Sequence, residues 1–166
     1  MAEKAAWDFQ AQLSEEEKFN ITVILPGFII GPTLVSSQNL SGEAVKKMML
    51  RSYSATPFVK MPSVDVRDCA RAHLQAIVIP EAANKRFILV SECCWFNELG
   101  QHLHDKFYPD YNPPCKNMSR WMGSLASWFS SDLASLLPKW GKPFVLDTAP
   151  SKQTLGIEYI SVKDSI

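Results

Sequence analysis

One short segment constrains the fold of this chain more than any other. Residues Ile21 to Leu25 are β-branched or apolar, and Pro26 and Gly27 follow them directly. Such a run is typical of a buried strand in a parallel sheet, and the Pro-Gly pair ends it. Because parallel strands need a crossover, usually helical, strands and helices are expected to alternate along the chain.

The remaining sequence has this alternation, which predicts an α/β fold. Apolar spacing predicts helices, and short β-branched runs predict strands. The predicted helices are Ala2–Leu13, Arg67–Ile79, Trp95–Phe107, Met118–Leu137, Ser151–Gly156 and one capped by Ser41 that runs to about Ser52; the further strands are Val64–Val66 and Phe87–Val90. Three strands are fewer than the five or six of an average sheet. The doubly wound parallel sheet is therefore expected to be incomplete, with its first helix starting without a cap.

Composition excludes several classes of function. The formal net charge is zero, so no basic surface for nucleic acid is expected. The apolar stretch from Ile21 to Val35 is broken by prolines and glycines and is shorter than the ~20 residues of a membrane helix. The four cysteines follow no signal peptide, which favours reduced thiols and a cytoplasmic location.

Several motifs, taken together, carry a resemblance to a known family. They are Ala2–Trp7, Leu25–Pro32, Val64–His73 and the tail Ser151–Tyr159. In order and spacing they resemble the C-terminal half of the extended short-chain dehydrogenases/reductases of the NAD-dependent epimerase/dehydratase superfamily. The branch of dihydroflavonol and cinnamoyl-CoA reductases is the most similar. The match runs along nearly the whole chain.

The resemblance implies an oxidoreductase that uses NADP or NAD on a small carbonyl compound or the matching alcohol. In the family, the turn after the strand contacts the nicotinamide ring, which implies cofactor-binding roles for Pro26, Gly27, Phe28 and Ile29. Gly27 would let backbone approach a flat ligand, and the free amides of Phe28 and Ile29 could bond a carboxamide. From the residues alone, a plain loop after a strand remains the alternative.

The family's catalytic parts are not found in the printed sequence. The seven glycines form no dinucleotide-binding motif. The catalytic Ser or Thr and the Tyr-x-x-x-Lys pair are expected before Met1, so no catalytic residue is assigned. Tyr159 and Lys163 have that spacing, but their surroundings alternate as in an extended tail. We therefore expect a truncated, inactive half; the alternatives are a non-catalytic module that associates with a full-length relative, and a chain that does not fold stably.

The resemblance also divides the chain into parts. Residues 1–35 and 62–92 would complete the dinucleotide-binding sheet, 36–61 and 93–150 would bind substrate, and 151–166 would form a tail. A pocket would be lined partly by 34–44 and 110–140.

Three groups of residues invite a functional reading that their spacing does not favour. Asp65 and Asp68 flank Arg67 where a strand meets a helix, which favours capping over a carboxylate site. His102 and His104 are two apart on a helix and cannot face one metal ion, so no metal is expected. The aromatic stripe from Trp121 to Leu136 is predicted to be core or pocket wall.

Overall fold

The computed structural model describes residues 2–34, 40–52 and 54–166, in which helices and strands alternate. The strands are β1 (Val23–Pro26), β2 (Phe28–Ile30), β3 (Lys60–Asp65), β4 (Arg86–Leu89) and β5 (Glu92–Trp95). The helices are α1 (Ala2–Gln12), α2 (Leu40–Met49), α3 (Val66–Val78), α4 (Phe96–Phe107), α5 (Arg120–Ala126), α6 (Ser131–Leu136), α7 (Ala149–Leu155) and α8 (Val162–Ser165), with 3-10 turns at Pro80–Ala82 and Leu137–Lys139.

These strands form two small sheets. β1 pairs with β4 in parallel, with Val23 opposite Arg86 and Pro26 opposite Leu89. β3 pairs with β2 in parallel and with β5 antiparallel. The α/β class and the incomplete parallel sheet are thus confirmed. Strands β2 and β5 were not predicted.

Two apolar clusters make the core. The first lies between the β1·β4 sheet and helices α3 and α7, and includes Phe87, Leu89 and Leu155. The second joins β2 and β5 to helices α2 and α4. Strand β1 was predicted to be buried, but Val23 to Leu25 are only half-buried, because β4 is its one neighbour within the described part of the chain.

Asp65 caps helix α3, as the sequence predicts. Its side chain is fully buried and accepts bonds from the backbone amide of Arg67 at 2.7 Å and from Nε of Arg67 at 2.9 Å through Oδ1. Nη2 of Arg67 donates to Oδ2 at 2.7 Å. Burial by itself raises the pKa of Asp65, but the bonds from Arg67 outweigh it and hold the pKa below its usual range.

Asp68 ties the end of the chain to the same helix. Its carboxylate is fully buried, and Oδ2 accepts the backbone amide of Ile160 at 2.7 Å. Arg71, one turn further along α3, lies 3.6 Å from Oδ1. Both acidic residues beside Arg67 therefore serve the architecture of the strand-to-helix junction.

The helix predicted from Met118 to Leu137 is wrong as a single element. Helix α5 ends at Ala126, and Ser130 starts α6 by accepting the amide of Leu133 on its side-chain oxygen at 3.4 Å. The aromatic stripe is not core: Trp128 and Phe129 are 81% and 89% exposed. The inward contact is made by Gly123, where an added Cβ would lie 2.6 Å from the ring of Trp140.

Other element ends also differ from the prediction. Ser41 lies inside the first turn of α2 and does not cap it, since the helix begins at Leu40. Residues 35–39, which belong to the expected 34–44 pocket wall, lie outside the described residues. The tail is not extended throughout, because Ser161 caps the short helix α8 by accepting the amide of Asp164 at 3.1 Å.

We expect Asp65→Ala to lower the free energy of unfolding by about 1–3 kcal/mol, because it removes a helix cap and leaves the bonds of Arg67 unmade. Asp65→Asn is the matched control: it keeps an oxygen for the amide of Arg67 and should lose less. Urea unfolding followed by circular dichroism measures both. Equal stability of all three proteins would contradict the capping role.

The same contact predicts a pH dependence. The folded pKa of Asp65 is depressed, so its stabilisation is present above the unfolded pKa and is lost as the pH falls through the folded value. The stability gap between the natural protein and Asp65→Asn should therefore shrink in acid. A gap that widens on acidification would contradict the assignment.

Candidate functional site

The four predicted cofactor-binding residues lie where the chain passes from one sheet to the other. Pro26 ends β1 and is exposed, while Gly27, Phe28 and Ile29 are half-buried. A second crossing lies beside it, where β4 leads into β5 through Val90 and Ser91. Ligands of open parallel sheets bind outside the carboxyl ends of the strands, and both crossings lie at such ends.

Hydrogen bonds hold these two crossings together. The backbone amide and the hydroxyl of Ser91 donate to the carbonyl of Ser63, at 2.8 and 3.0 Å. The amide of Gly27 donates to the carbonyl of Leu89 at 3.0 Å. The backbone at the edge is therefore fixed by β3 and β4 before any ligand is considered.

Glycine at position 27 is explained by a close approach of backbone to backbone. A Cβ built on Gly27 would lie 2.2 Å from the carbonyl oxygen of Pro62 and 2.8 Å from its carbon. Any side chain would force β2 away from β3. This packing requires glycine at position 27 whether or not a flat ligand also approaches the turn, so the expected approach of a ligand stays a prediction.

Proline is compatible with position 26 because only every second residue of β1 donates a hydrogen bond to β4. The amides of Val23 and Gly27 donate to the carbonyls of Lys85 and Leu89 on the β4 side, at 2.9 and 3.0 Å. Backbone groups alternate between the two edges of a strand, so the backbone nitrogens of Ile24 and Pro26 point away from β4. Proline thus removes no ladder bond, and its exposed ring faces outward at the end of β1.

Phe28 and Ile29 belong to strand β2, where a loop was the alternative prediction. Successive amides of a strand point to opposite edges, so at most one of these two amides can face away from β3. The Phe28 ring packs at a centroid distance of 6.3 Å from Phe96, and Ile29 packs against the first core cluster. The expected pair of free amides is therefore reduced to one.

An open cavity near this edge has a volume of about 620 Å³. It is lined in part by Ser91, Glu92, Lys152 and Tyr159. The hydroxyl of Tyr159 lies 2.8 Å from that of Ser151, and burial raises the pKa of Tyr159. A tyrosine that delivers a proton near neutral pH needs a lowered pKa, so the raised pKa agrees with the prediction that Tyr159 is not the catalytic tyrosine.

Two further features bear on the chemistry of this edge: the arrangement of possible metal ligands and the ionisation of its thiol. Within residues 2–34, 40–52 and 54–166, no three His, Cys, Asp or Glu side chains are grouped to hold a metal ion. Burial raises the pKa of Cys94 to about 11, so its thiolate is rare near neutral pH.

Within residues 2–34, 40–52 and 54–166, no helix has the length and apolar character needed to cross a bilayer.

We expect Gly27→Ala to destabilise the fold by about 2–3 kcal/mol, because the methyl group collides with the Pro62 carbonyl. Gly156→Ala is the control: Gly156 has a φ of +62° but nothing within 4 Å of an added Cβ. It should cost about 1 kcal/mol of backbone strain. Thermal unfolding distinguishes them, and an equal loss would show that the clash at Gly27 relaxes freely.

Comparisons with known proteins agree with the fold. No protein-family model matches the chain. The NADPH-dependent methylglyoxal reductase Gre2 of Saccharomyces cerevisiae is 27% identical over 99% of this chain and 46% of its own length. Cinnamoyl-CoA reductase 2 of Arabidopsis thaliana is 28% identical over 100% of this chain and 43% of its own length.

A solved structure matches over the same extent. The crystal structure of Gre2 from Candida albicans in complex with NADPH superposes with a TM-score of 0.72, is 29% identical, and covers 99% of this chain and 46% of its own. The chain thus spans less than half the length of these relatives. The resemblance in the sequence is confirmed: these homologues are extended short-chain dehydrogenases/reductases, and the chain is similar to less than half of each.

Proposed function

We propose that this chain is the nicotinamide-side, C-terminal half of an NAD(P)H-dependent reductase that acts on a small carbonyl compound or the matching alcohol. The position of Pro26 to Ile29 carries the proposal: these residues occupy the carboxyl end of β1 at the switch between two sheets. A nicotinamide cofactor is supported by the fold, which an NADPH complex shares over 99% of this chain.

The residues at the edge fit one side of a flat ring. The bound cofactor would supply the hydride. Pro26 would present its exposed ring, Phe28 would be held in place by Phe96, and a single backbone amide of β2 would be left to orient a carboxamide. Gly27 would act indirectly, by keeping β2 in register against β3. NADPH is favoured over NADH because the relatives that match over the whole chain include NADPH-dependent Gre2.

The substrate side would be formed by residues 36–61 and 93–150. Helix α5 and the turn after it support this, since large aromatic side chains there are uncovered: Trp121 is 70% exposed and Phe129 is 89% exposed. Aromatic walls suit small apolar carbonyl compounds. The four free cysteines, which are not disulfide-bonded, are in keeping with a cytoplasmic location.

The printed 166 residues lack the groups that would complete the reaction. The seven glycines form no phosphate-binding turn, and Tyr159 of the Tyr-x-x-x-Lys sequence has a raised pKa and lies outside helix α8. The turn that binds the cofactor phosphates and the residue that donates the proton would therefore belong to the part of the complete reductase that this chain does not match. This chain by itself is expected to be inactive.

We expect the purified chain to oxidise no NADPH with methylglyoxal or other small aldehydes and ketones, followed as the loss of absorbance of NADPH. Joined behind the unmatched half of S. cerevisiae Gre2, in place of the half that it matches, the chain should support turnover. Pro26→Gly in this chimera should raise the KM for NADPH several-fold and change kcat less, because it loosens one wall of the ring site.

Trp121→Ala is the matched control, since Trp121 lies on the proposed substrate side and should change the KM for the carbonyl compound and not that for NADPH. Steady turnover by the isolated chain would contradict the proposal that the catalytic groups lie in the unmatched half. A folded chimera that binds NADPH but reduces none of the carbonyl compounds would contradict the proposed function.

A further inference from the structure

Helix α5 and the turn after it carry large apolar side chains on their outer side. Trp121, Leu125 and Trp128 follow one another at intervals of four and three residues, which places them on the same side of a helix. All three are exposed, and so is the next residue, Phe129. Gly123 lies on the opposite side of α5 and is buried. We call Trp121, Leu125, Trp128 and Phe129 the α5 apolar face.

The inner side of α5 fixes this face relative to the second sheet. Gly123 packs on the ring of Trp140. The next residue, Gly141, donates its amide to the carbonyl of Phe58 at 2.8 Å, and the Phe58 ring stacks on Trp95 of β5 at a centroid distance of 4.3 Å. The α5 apolar face is therefore positioned from β5, an edge strand of the β2·β3·β5 sheet.

Positive charge borders this face. Residues 116–142 contain four basic side chains and one acidic side chain, whereas the whole chain has no formal net charge. Arg120 begins α5, and Lys139 and Lys142 stand on either side of Trp140, on which α5 packs. All three basic side chains are exposed. We call Arg120, Lys139 and Lys142 the cationic border.

An anionic lipid surface matches this combination of apolar and positive groups. Trp and Phe side chains favour the boundary between lipid headgroups and acyl chains, and Lys and Arg are attracted to anionic lipids. Helix α5 has seven residues, far fewer than the ~20 that span a bilayer, so it would lie along the surface.

Two other occupants fit the face less well. A second copy of the chain would bring two cationic borders together, and like charges disfavour such contacts. A folded protein partner needs a surface of complementary shape, whereas these side chains project into solvent. They line neither the cavity of about 620 Å³ nor a second one of about 400 Å³ beside α3. A fluid bilayer adapts to projecting side chains.

We propose that the α5 apolar face docks this protein on an anionic lipid surface. Its aromatic side chains insert at the level of the headgroups, while the cationic border contacts the negative groups of the lipids. The docking does not rest on the proposed reductase function, and it needs no transmembrane helix.

The test measures sedimentation of the purified full chain with vesicles of phosphatidylcholine alone, or of an equal mixture of phosphatidylcholine and phosphatidylserine. We expect binding to the mixed vesicles to be about ten-fold stronger or more, because basic residues near an anionic surface each contribute about 1 kcal/mol. Salt should weaken it, since the Debye length falls from about 10 Å at 0.1 M to about 3 Å at 1 M. Absence of binding to the mixed vesicles, or equal binding to both kinds, overturns the proposal.

Two exposed positions give matched variants. Trp128→Glu places a charge in the α5 apolar face and should weaken vesicle binding by about ten-fold or more. Ile77→Glu makes the same change of charge on α3, at a side chain that is 82% exposed against 81% for Trp128, and should leave binding unchanged. Circular dichroism melts check that both variants fold. Equal weakening by the two variants would assign the effect to net charge and overturn the proposal.

Tryptophan fluorescence locates the contact. The other three tryptophans, Trp7, Trp95 and Trp140, are half-buried or buried. Lipids with brominated acyl chains should therefore quench mainly Trp121 and Trp128. Replacing both by Phe should keep the binding and remove most of the quenching. Full quenching of this double variant would place another part of the chain on the lipid and overturn the proposal.

Light scattering without vesicles tests the second copy as the occupant. A dimer that Trp128→Glu dissociates would assign the face to a second copy and overturn the proposal. All binding measurements omit NADPH and substrate, so the two proposals fail separately. Failure to bind vesicles leaves the reductase function standing, and a folded chimera without turnover leaves the docking standing.

Discussion

The structure depends on the contact between Gly27 and the backbone of Pro62. A side chain at position 27 has no room, because an added Cβ would lie 2.2 Å from the Pro62 carbonyl oxygen. The contact lets the chain leave the β1·β4 sheet and enter the β2·β3·β5 sheet within one residue. Ser91 makes the matching connection from β4 to β5 through its two bonds to the Ser63 carbonyl. The proposed cofactor surface exists because these two crossings lie side by side.

Two buried carboxylates, those of Asp65 and Asp68, join elements of the fold to one another. Asp65 joins β3 to α3 through Arg67, and Asp68 holds the amide of Ile160, so the tail is fastened to the helix that supports the first core cluster. Both carboxylates therefore contribute to the packing of the junction between strand β3, helix α3 and the tail.

The part of the molecule around β1 is less completely packed than the part around β4. β1 is half-buried, helix α1 has no buried residue, and Ile77 of α3 is exposed. In contrast, β4 has Phe87 and Leu89 fully buried under α3 and α7. Among the described residues β1 pairs with β4 alone, which agrees with a match to less than half of the longer relatives.

The sequence by itself determined the helices and strands that have a strong local pattern: α1, α3, α4 and the two parallel strands β1 and β4. It also placed the cap at Asp65 and the turn at Pro26, because capping and proline geometry are local. Only the tertiary structure decided the rest. Glu92–Trp95 has no alternating pattern and becomes a strand by pairing with β3, and Phe28–Ile30 does so between two glycine-proline turns. Helix α5 turns Gly123 toward Trp140 and leaves Trp121 exposed, and Gly27 is required by the close approach of Pro62. Both are contacts between residues distant in sequence, which no local pattern records.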